Sequence, residues 1–114
     1  KKALTEVVAR HQDTGLNFSG YEIHIGQTSG PDCARPFACI GDVNEGAISE
    51  DGRIFGSYLH GMFSDDEFRR SFLGQLGIAA SQLSYAESVE RALDDLAKHI
   101  ELYVDLDHLV TCAR

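Results

Sequence analysis

No apolar run in the chain approaches the roughly 20 residues that a membrane-spanning helix needs, so a helical membrane protein is not expected. Basic residues are few and scattered: 10 Lys and Arg stand against 18 Asp and Glu, a formal net charge of −8. No basic stripe recurs on a helix face. That argues against a nucleic-acid surface, which gathers cations against phosphates. The three cysteines, Cys33, Cys39 and Cys112, are odd in number and share no CxxC spacing. Neither a disulfide framework nor a zinc site is expected of them, and a reducing cytoplasm suits them. There is no HxxxH pair for a metal. There is no P-loop and no GxGxxG for a nucleotide, so no cofactor is expected within the chain. The segment from Lys1 to Glu6 has no apolar core and no small-residue cleavage site, unlike a signal peptide. An initiating Met is absent as well, and the sequence reads as a piece of a longer protein.

What is present is ordinary globular material. At 114 residues, 43% apolar and 25% charged, the chain suits one domain at most, with a packed core. Residues 4–9 read as a strand, with a short helix as the alternative. Residues 14–17 read as a loop. In residues 18–25, Phe18, Tyr21, Ile23 and Ile25 suit a strand with one buried face. Residues 26–36 hold both prolines and read as a loop. A short strand is expected over residues 37–40. Residues 46–49 and 54–60 flank Asp51-Gly52, a strong hairpin signal. The second arm is apolar at nearly every position, as in a strand covered on both faces of an α/β sheet.

The pattern then turns helical. Ser64 and Glu67 are spaced as a capping box, with Phe63 and Phe68 as a hydrophobic staple. The helix they open runs to Gly74 or Gly77, where glycine can supply a left-handed cap. Ser84 and Glu87 repeat the capping pair. Ala86, Val89, Leu93, Leu96, Ile100 and Val104 then follow at spacings of three or four on one face. A last helix is expected over residues 106–112. The fold class is α/β, with strands and a hairpin followed by helices. No βαβ unit opens the chain, and this suggests that the front of the domain lies outside it.

His60 is the most informative residue for chemistry. It ends an apolar strand and precedes a helix start, and an imidazole so placed suits a general base for a thiol or hydroxyl nucleophile. A strand-end His with a purely structural hydrogen bond is the competing reading. His24 follows Glu22 by two residues and so shares its strand face. It reads either as a substrate contact or carboxylate-oriented imidazole, or as a satisfied half-buried side chain. A metal site from Glu22, His24 and His60 has no ligand spacing to support it. His11, His99 and His108 read as solvated. A nucleophilic Cys needs a strained strand-to-helix turn of the Gly-x-Cys-x-Gly kind, and none of the three cysteines has that setting.

Two stretches match something specific. Ser19-Gly20-Tyr21-Glu22-Ile23-His24-Ile25-Gly26-Gln27-Thr28 and Gly56-Ser57-Tyr58-Leu59-His60-Gly61-Met62-Phe63 resemble the cobyric acid synthase family, in the C-terminal part of its glutamine amidotransferase domain. The resemblance covers essentially the whole chain. It implies a class I-like, flavodoxin-like α/β domain in which a Cys on a nucleophile elbow attacks glutamine and a His in a YLHG-type motif activates the thiol. His60 matches that His, while Tyr21, Glu22 and His24 are expected as substrate-binding or supporting residues. Such enzymes pass ammonia to an N-terminal synthetase domain that uses ATP and Mg to amidate carboxylates of a corrin substrate in cobalamin biosynthesis. The branch lacks the carboxylate that follows the catalytic His by two residues in ordinary triads, and Met62 stands there in this chain.

By the same resemblance, the nucleophile and the synthetase domain fall outside these 114 residues, so the chain alone is expected to be inactive. Two other readings remain. One is a related amidotransferase, such as cobyrinic acid diamide synthase or the enzyme that modifies peptidoglycan lipid precursors. The other is a non-catalytic binding module on the same fold. An upstream Gly-x-Cys-x-Gly elbow separates the enzymes from the module.

Overall fold

A computed structural model describes residues 4–113. The chain divides into two compact units, Lys1–Ser81 and Gln82–Arg114. Among its described residues the first holds seven strands: β1 (Thr5–His11), β2 (Asn17–Glu22), β3 (Ala38–Ile40), β4 (Val43–Glu45), β5 (Ala47–Ile48), β6 (Phe55–Gly56) and β7 (Leu59–His60). Five form one sheet in the order β4-β3-β1-β2-β7, and β5 and β6 form a separate hairpin. Every pairing in both sheets is antiparallel. The mixed α/β class expected from the sequence is borne out, with strands and a hairpin first and helices after them.

β1 and β2 make the longest ladder, from Thr5↔Glu22 to Arg10↔Asn17. The β-branched pair Val7-Val8 suits such a pleated strand. β2 differs from its expected form in two ways. It stops at Glu22, and its inward face carries Phe18 and Gly20, whereas Tyr21 and Ile25 are exposed. Alternation forces this outcome, because Phe18 and Tyr21 have opposite parity and only one of them can face the core. The two-residue β7 also gives β2 no ladder partner beyond Tyr21 and Glu22, apart from one bond from Ile23 N–H to the Tyr58 carbonyl.

The hairpin forms as expected, with Ala47↔Gly56 and Ile48↔Phe55 opposed around the Asp51-Gly52 turn. Its second arm is not one strand covered on both faces. It splits into β6 and β7, which belong to different sheets. Ile54 and Phe55 are exposed and Leu59 is buried. β4 has no counterpart in the sequence reading, where residues 41–45 stand unassigned between two Gly.

The core gathers Ala9, Phe18, Phe37, Ala38, Leu59 and Phe68. Phe68 comes from α1 (Asp66–Gln75) and stacks on Phe18 at 4.3 Å between ring centroids. The cap of α1 lies one residue later than the capping-box spacing implies. Ser64 belongs to a 3₁₀ turn over Met62–Ser64, so Asp65 becomes the N-cap and its carboxylate accepts from the Phe68 N–H at 3.0 Å. Phe63 and Phe68 do pack, at 5.9 Å. The helix ends at the second of the two expected glycines. Gly77 is left-handed, its N–H bonds the Gly74 carbonyl and the Ile78 N–H bonds the Leu73 carbonyl, a Schellman closure.

His11, expected to be solvated, is buried at 1% exposure. It shares the inward parity of Ala9 on β1. Its Nδ1 accepts from the Thr14 hydroxyl at 2.9 Å, and that hydroxyl in turn accepts from the Leu16 N–H at 3.3 Å. A longer contact from the Thr14 N–H also reaches Nδ1. The proton of the neutral ring therefore sits on Nε2, which has no hydrogen-bond partner among the described residues. It lies among the rings of Phe37 at 4.8 Å and Phe68 at 5.4 Å. Burial lowers the pKa of this imidazole below its ordinary value, against an opposing pull from Asp13.

The second unit holds α2 (Tyr85–Tyr103) and α3 (Leu106–Cys112). Ser84 caps α2 as expected, accepting from the Glu87 N–H. Asp105 caps α3 through the His108 N–H. His99 and His108 are exposed, as the sequence implies. None of the described helices is long and apolar enough to cross a membrane.

Candidate functional site

Beyond β2 the chain turns so that the His24 ring comes back on its own neighbours. Nδ1–H donates to the Gly26 carbonyl at 2.7 Å, and Nε2–H donates to Glu22 Oε1 at 3.0 Å. Both partners are acceptors only, so the ring that makes both bonds is the imidazolium. The bond to the Gly26 carbonyl is the larger cause that raises the His24 pKa above its ordinary value, with the Glu22 bond next and Glu45 contributing at longer range. The ring stacks on Tyr58 at 4.4 Å and 18°, a placement that suits a cation over an aromatic face. The Tyr58 hydroxyl is hydrogen-bonded to the Thr28 hydroxyl. Glu22, His24, Thr28, Cys33, Glu45 and Tyr58 line an open cavity of about 800 Å³.

His60 and Tyr21 are placed elsewhere. They oppose each other across β2 and β7, while Glu22 opposes Leu59. Residues opposite each other in a ladder share a face, and neighbours along a strand point to opposite faces. Leu59 points into the core, so His60 and Tyr21 share the outer face and both are exposed. The four expected site residues thus form two pairs. Glu22 and His24 meet at the cavity, and Tyr21 and His60 stand together outside it. The His60 imidazole has no hydrogen-bond partner among the described residues.

One buried charge escaped the sequence reading. Glu45, at the end of β4, is 7% exposed. Its Oε1 accepts from the Tyr58 N–H at 2.6 Å and its Oε2 accepts from the Ser57 hydroxyl at 2.9 Å. The Ser57 oxygen accepts in turn from the Leu59 N–H at 3.0 Å. A signal exists in the sequence: Glu45 is the one ionised side chain in an otherwise uncharged run, residues 43–49, that leads into the hairpin. Arg35 is a second polar residue with a long-range contact. It ties the 3₁₀ turn Pro31–Ala34 to the hairpin by donating to the Ile48 carbonyl at 3.0 Å while pairing with Asp32. All three cysteines are free. Among the described residues no group of three or more His, Cys, Asp or Glu is placed to hold a metal ion.

Comparison with known proteins adds what geometry cannot. The model of the CobB/CobQ-like glutamine amidotransferase domain matches residues 1–68, a span that contains both quoted motifs. Among curated relatives, the cobyric acid synthase of Cereibacter sphaeroides is 58% identical over 99% of this chain and 24% of its own length. That of Jannaschia sp. is 57% identical over 96% of this chain and 22% of its own. That of Bradyrhizobium diazoefficiens is 53% identical over 100% of this chain and 24% of its own. The chain therefore spans about a quarter of the length of the curated relatives it matches. No solved structure matches it. With 68 of 114 residues under the family model and the similarity to cobyric acid synthases running from end to end, the chain belongs to the CobB/CobQ-like glutamine amidotransferase family.

Proposed function

We propose that this chain is the C-terminal, His-bearing portion of the glutamine amidotransferase domain of a cobyric acid synthase, and that His60 is its catalytic base. The observation that carries the reading is the contrast between two imidazoles. His24 has both nitrogens committed as donors, so it has no lone pair to take a proton. His60 ends β7 with an exposed ring, fixed in register against Tyr21. A Cys thiol has a reference pKa of about 8.5 and is mostly protonated at neutral pH. In the proposed step His60 takes the thiol proton, the thiolate attacks the glutamine carboxamide carbon, the C–N bond breaks as His60 returns the proton to the leaving ammonia, and water then hydrolyses the glutamyl thioester to release glutamate and the thiol. The thiol comes from a segment outside the chain, since Cys33, Cys39 and Cys112 sit in a 3₁₀ turn, a strand and the last helix rather than on a strand-to-helix elbow. Tyr21 flanks the base. The Glu22–His24 pair supports the cavity wall, where glutamine or the approaching nucleophile segment is accommodated.

On this reading the ammonia serves a synthetase domain of the full-length protein, which uses ATP and Mg to amidate a corrin substrate. A reducing cytoplasm suits the free cysteines. The test is corrin amidation by the full-length protein with glutamine and with added ammonia in parallel. His60→Asn should abolish the glutamine-driven reaction and largely spare the ammonia-driven one. Equal loss with both nitrogen sources would mean a folding role instead. Full retention with glutamine would mean that another group is the base. The 114-residue chain alone should release no ammonia from glutamine, and turnover above a Cys33/Cys39/Cys112→Ser control would overturn that expectation.

A further inference from the structure

We propose that Glu45 is the positioning residue for His60: its buried carboxylate fixes the segment that presents the imidazole. The inference rests on the reading of His60 as the base. Between β6 and β7 the chain leaves the hairpin and joins the main sheet. The two residues that make this crossing, Ser57 and Tyr58, have no strand of their own to satisfy the Tyr58 N–H and the Ser57 hydroxyl. Glu45 accepts from both, at 2.6 and 2.9 Å, and through the Ser57 oxygen it reaches the Leu59 N–H as well. One carboxylate thereby ties down three consecutive residues immediately before His60.

The carboxylate itself is held from below. Glu45 closes β4 and opposes Ala38, which is fully buried in the core. Gly46 follows with a left-handed backbone, packed so closely on the Gly56 carbonyl and Phe37 that no side chain fits there. A buried carboxylate is costly unless its oxygens are satisfied. Here each oxygen receives a hydrogen bond, the one from the Tyr58 N–H short, so the group acts as a held acceptor rather than a mobile charge. Geometry matters at such a site because a displacement of about 1 Å between a base and its partner can cost roughly a hundredfold in rate.

Glu45→Gln is the informative substitution. It keeps the shape and one acceptor for the Tyr58 N–H, but replaces the other oxygen with a donor aimed at Ser57. The full-length protein carrying it, wild type and His60→Asn should be assayed with glutamine and with ammonia. The expected result is a glutamine-to-ammonia rate ratio that falls about tenfold or more, through kcat. In amide NMR of the 114-residue chain, the Tyr58 N–H resonance should lie far downfield and move upfield in the variant. An unchanged kcat while His60→Asn is inactive overturns the role of Glu45 and leaves the His60 reading standing. Full glutamine-driven activity in His60→Asn overturns the His60 reading, and the positioning role falls with it. Parallel loss of both activities, or a Tyr58 resonance that does not move, also overturns it.

Discussion

Replacing Gly46 with alanine should destabilise the first unit by about 1–4.5 kcal/mol, and replacing Gly52 by less than about 1.5 kcal/mol. Both glycines are left-handed, with φ of +74° and +68°. A Cβ in that conformation costs roughly 1–2 kcal/mol, partly offset by about 0.4–1 kcal/mol because alanine stiffens the unfolded chain. At Gly52 nothing else is met, since no atom lies within 4 Å of the added carbon. At Gly46 the same carbon strikes the Gly56 carbonyl oxygen and lies 2.8 Å from the Phe37 Cβ. Neither neighbour can swing away, because one is backbone and the other roots a core side chain. Overpacking of that kind adds about 1–3 kcal/mol. With no Trp in the chain, circular dichroism during urea titration is the natural readout. Small proteins have slopes of about 1–3 kcal/mol per molar urea, so the two midpoints should separate by at least roughly 0.3 M. Equal midpoints for the two variants would refute the argument from contact and leave only the backbone term.

The corrected helix cap gives a second pair of variants: Asp65→Ala should cost about 0.5–2 kcal/mol, while Ser64→Ala should stay within about 0.5 kcal/mol. The opposite order in denaturation midpoints would restore Ser64 as the cap. His24 should titrate above its ordinary 6.5 in NMR, and Glu22→Gln should lower it. A wild-type midpoint at or below 6.5 would show that the double donation is not made. His11 acts in the other direction, because its folded-state pKa is lowered. The unfolded chain takes up this proton below about 6.5 and the folded chain resists it, so stability falls as pH drops from that value toward the lowered one. The wild-type urea midpoint should decline between pH 7 and 5 more steeply than that of His11→Asn; parallel declines would argue against a buried neutral ring.

The helices are the most legible part of the chain. Ser84 and its spacing to Glu87 determine where α2 begins, and that is a local property. The hairpin around Asp51-Gly52 is legible for the same reason. Strand boundaries are less so, because a strand lasts only as long as its neighbour. β2 ends at Glu22 although Ile23 and Ile25 continue the pattern, for lack of a partner beyond Leu59 and His60. The second hairpin arm reads as one buried strand because its residues are apolar. Yet a change of sheet between Gly56 and Leu59 leaves its first half exposed, and nothing in the local composition marks that change.

The polar residues of the site divide along the same line. The Glu22–His24 bond spans two positions, so its partners are near in sequence, although it forms where the chain turns beyond the end of β2. The partner of Glu45 lies 12 and 13 residues away, across a turn whose geometry depends on the core beneath it. Its burial therefore cannot be inferred from the charge, which in isolation argues for exposure. His11 is the mirror case: flanked by Gln12 and Asp13 it looks solvated, but parity with Ala9 carries it under the aromatic cluster that α1 completes. In both residues a polar group is buried because a neighbour distant in sequence closes over it. For Glu45 that neighbour is the segment that carries His60, so the same long-range contact that hides the residue from a sequence reading is the one that gives it a role.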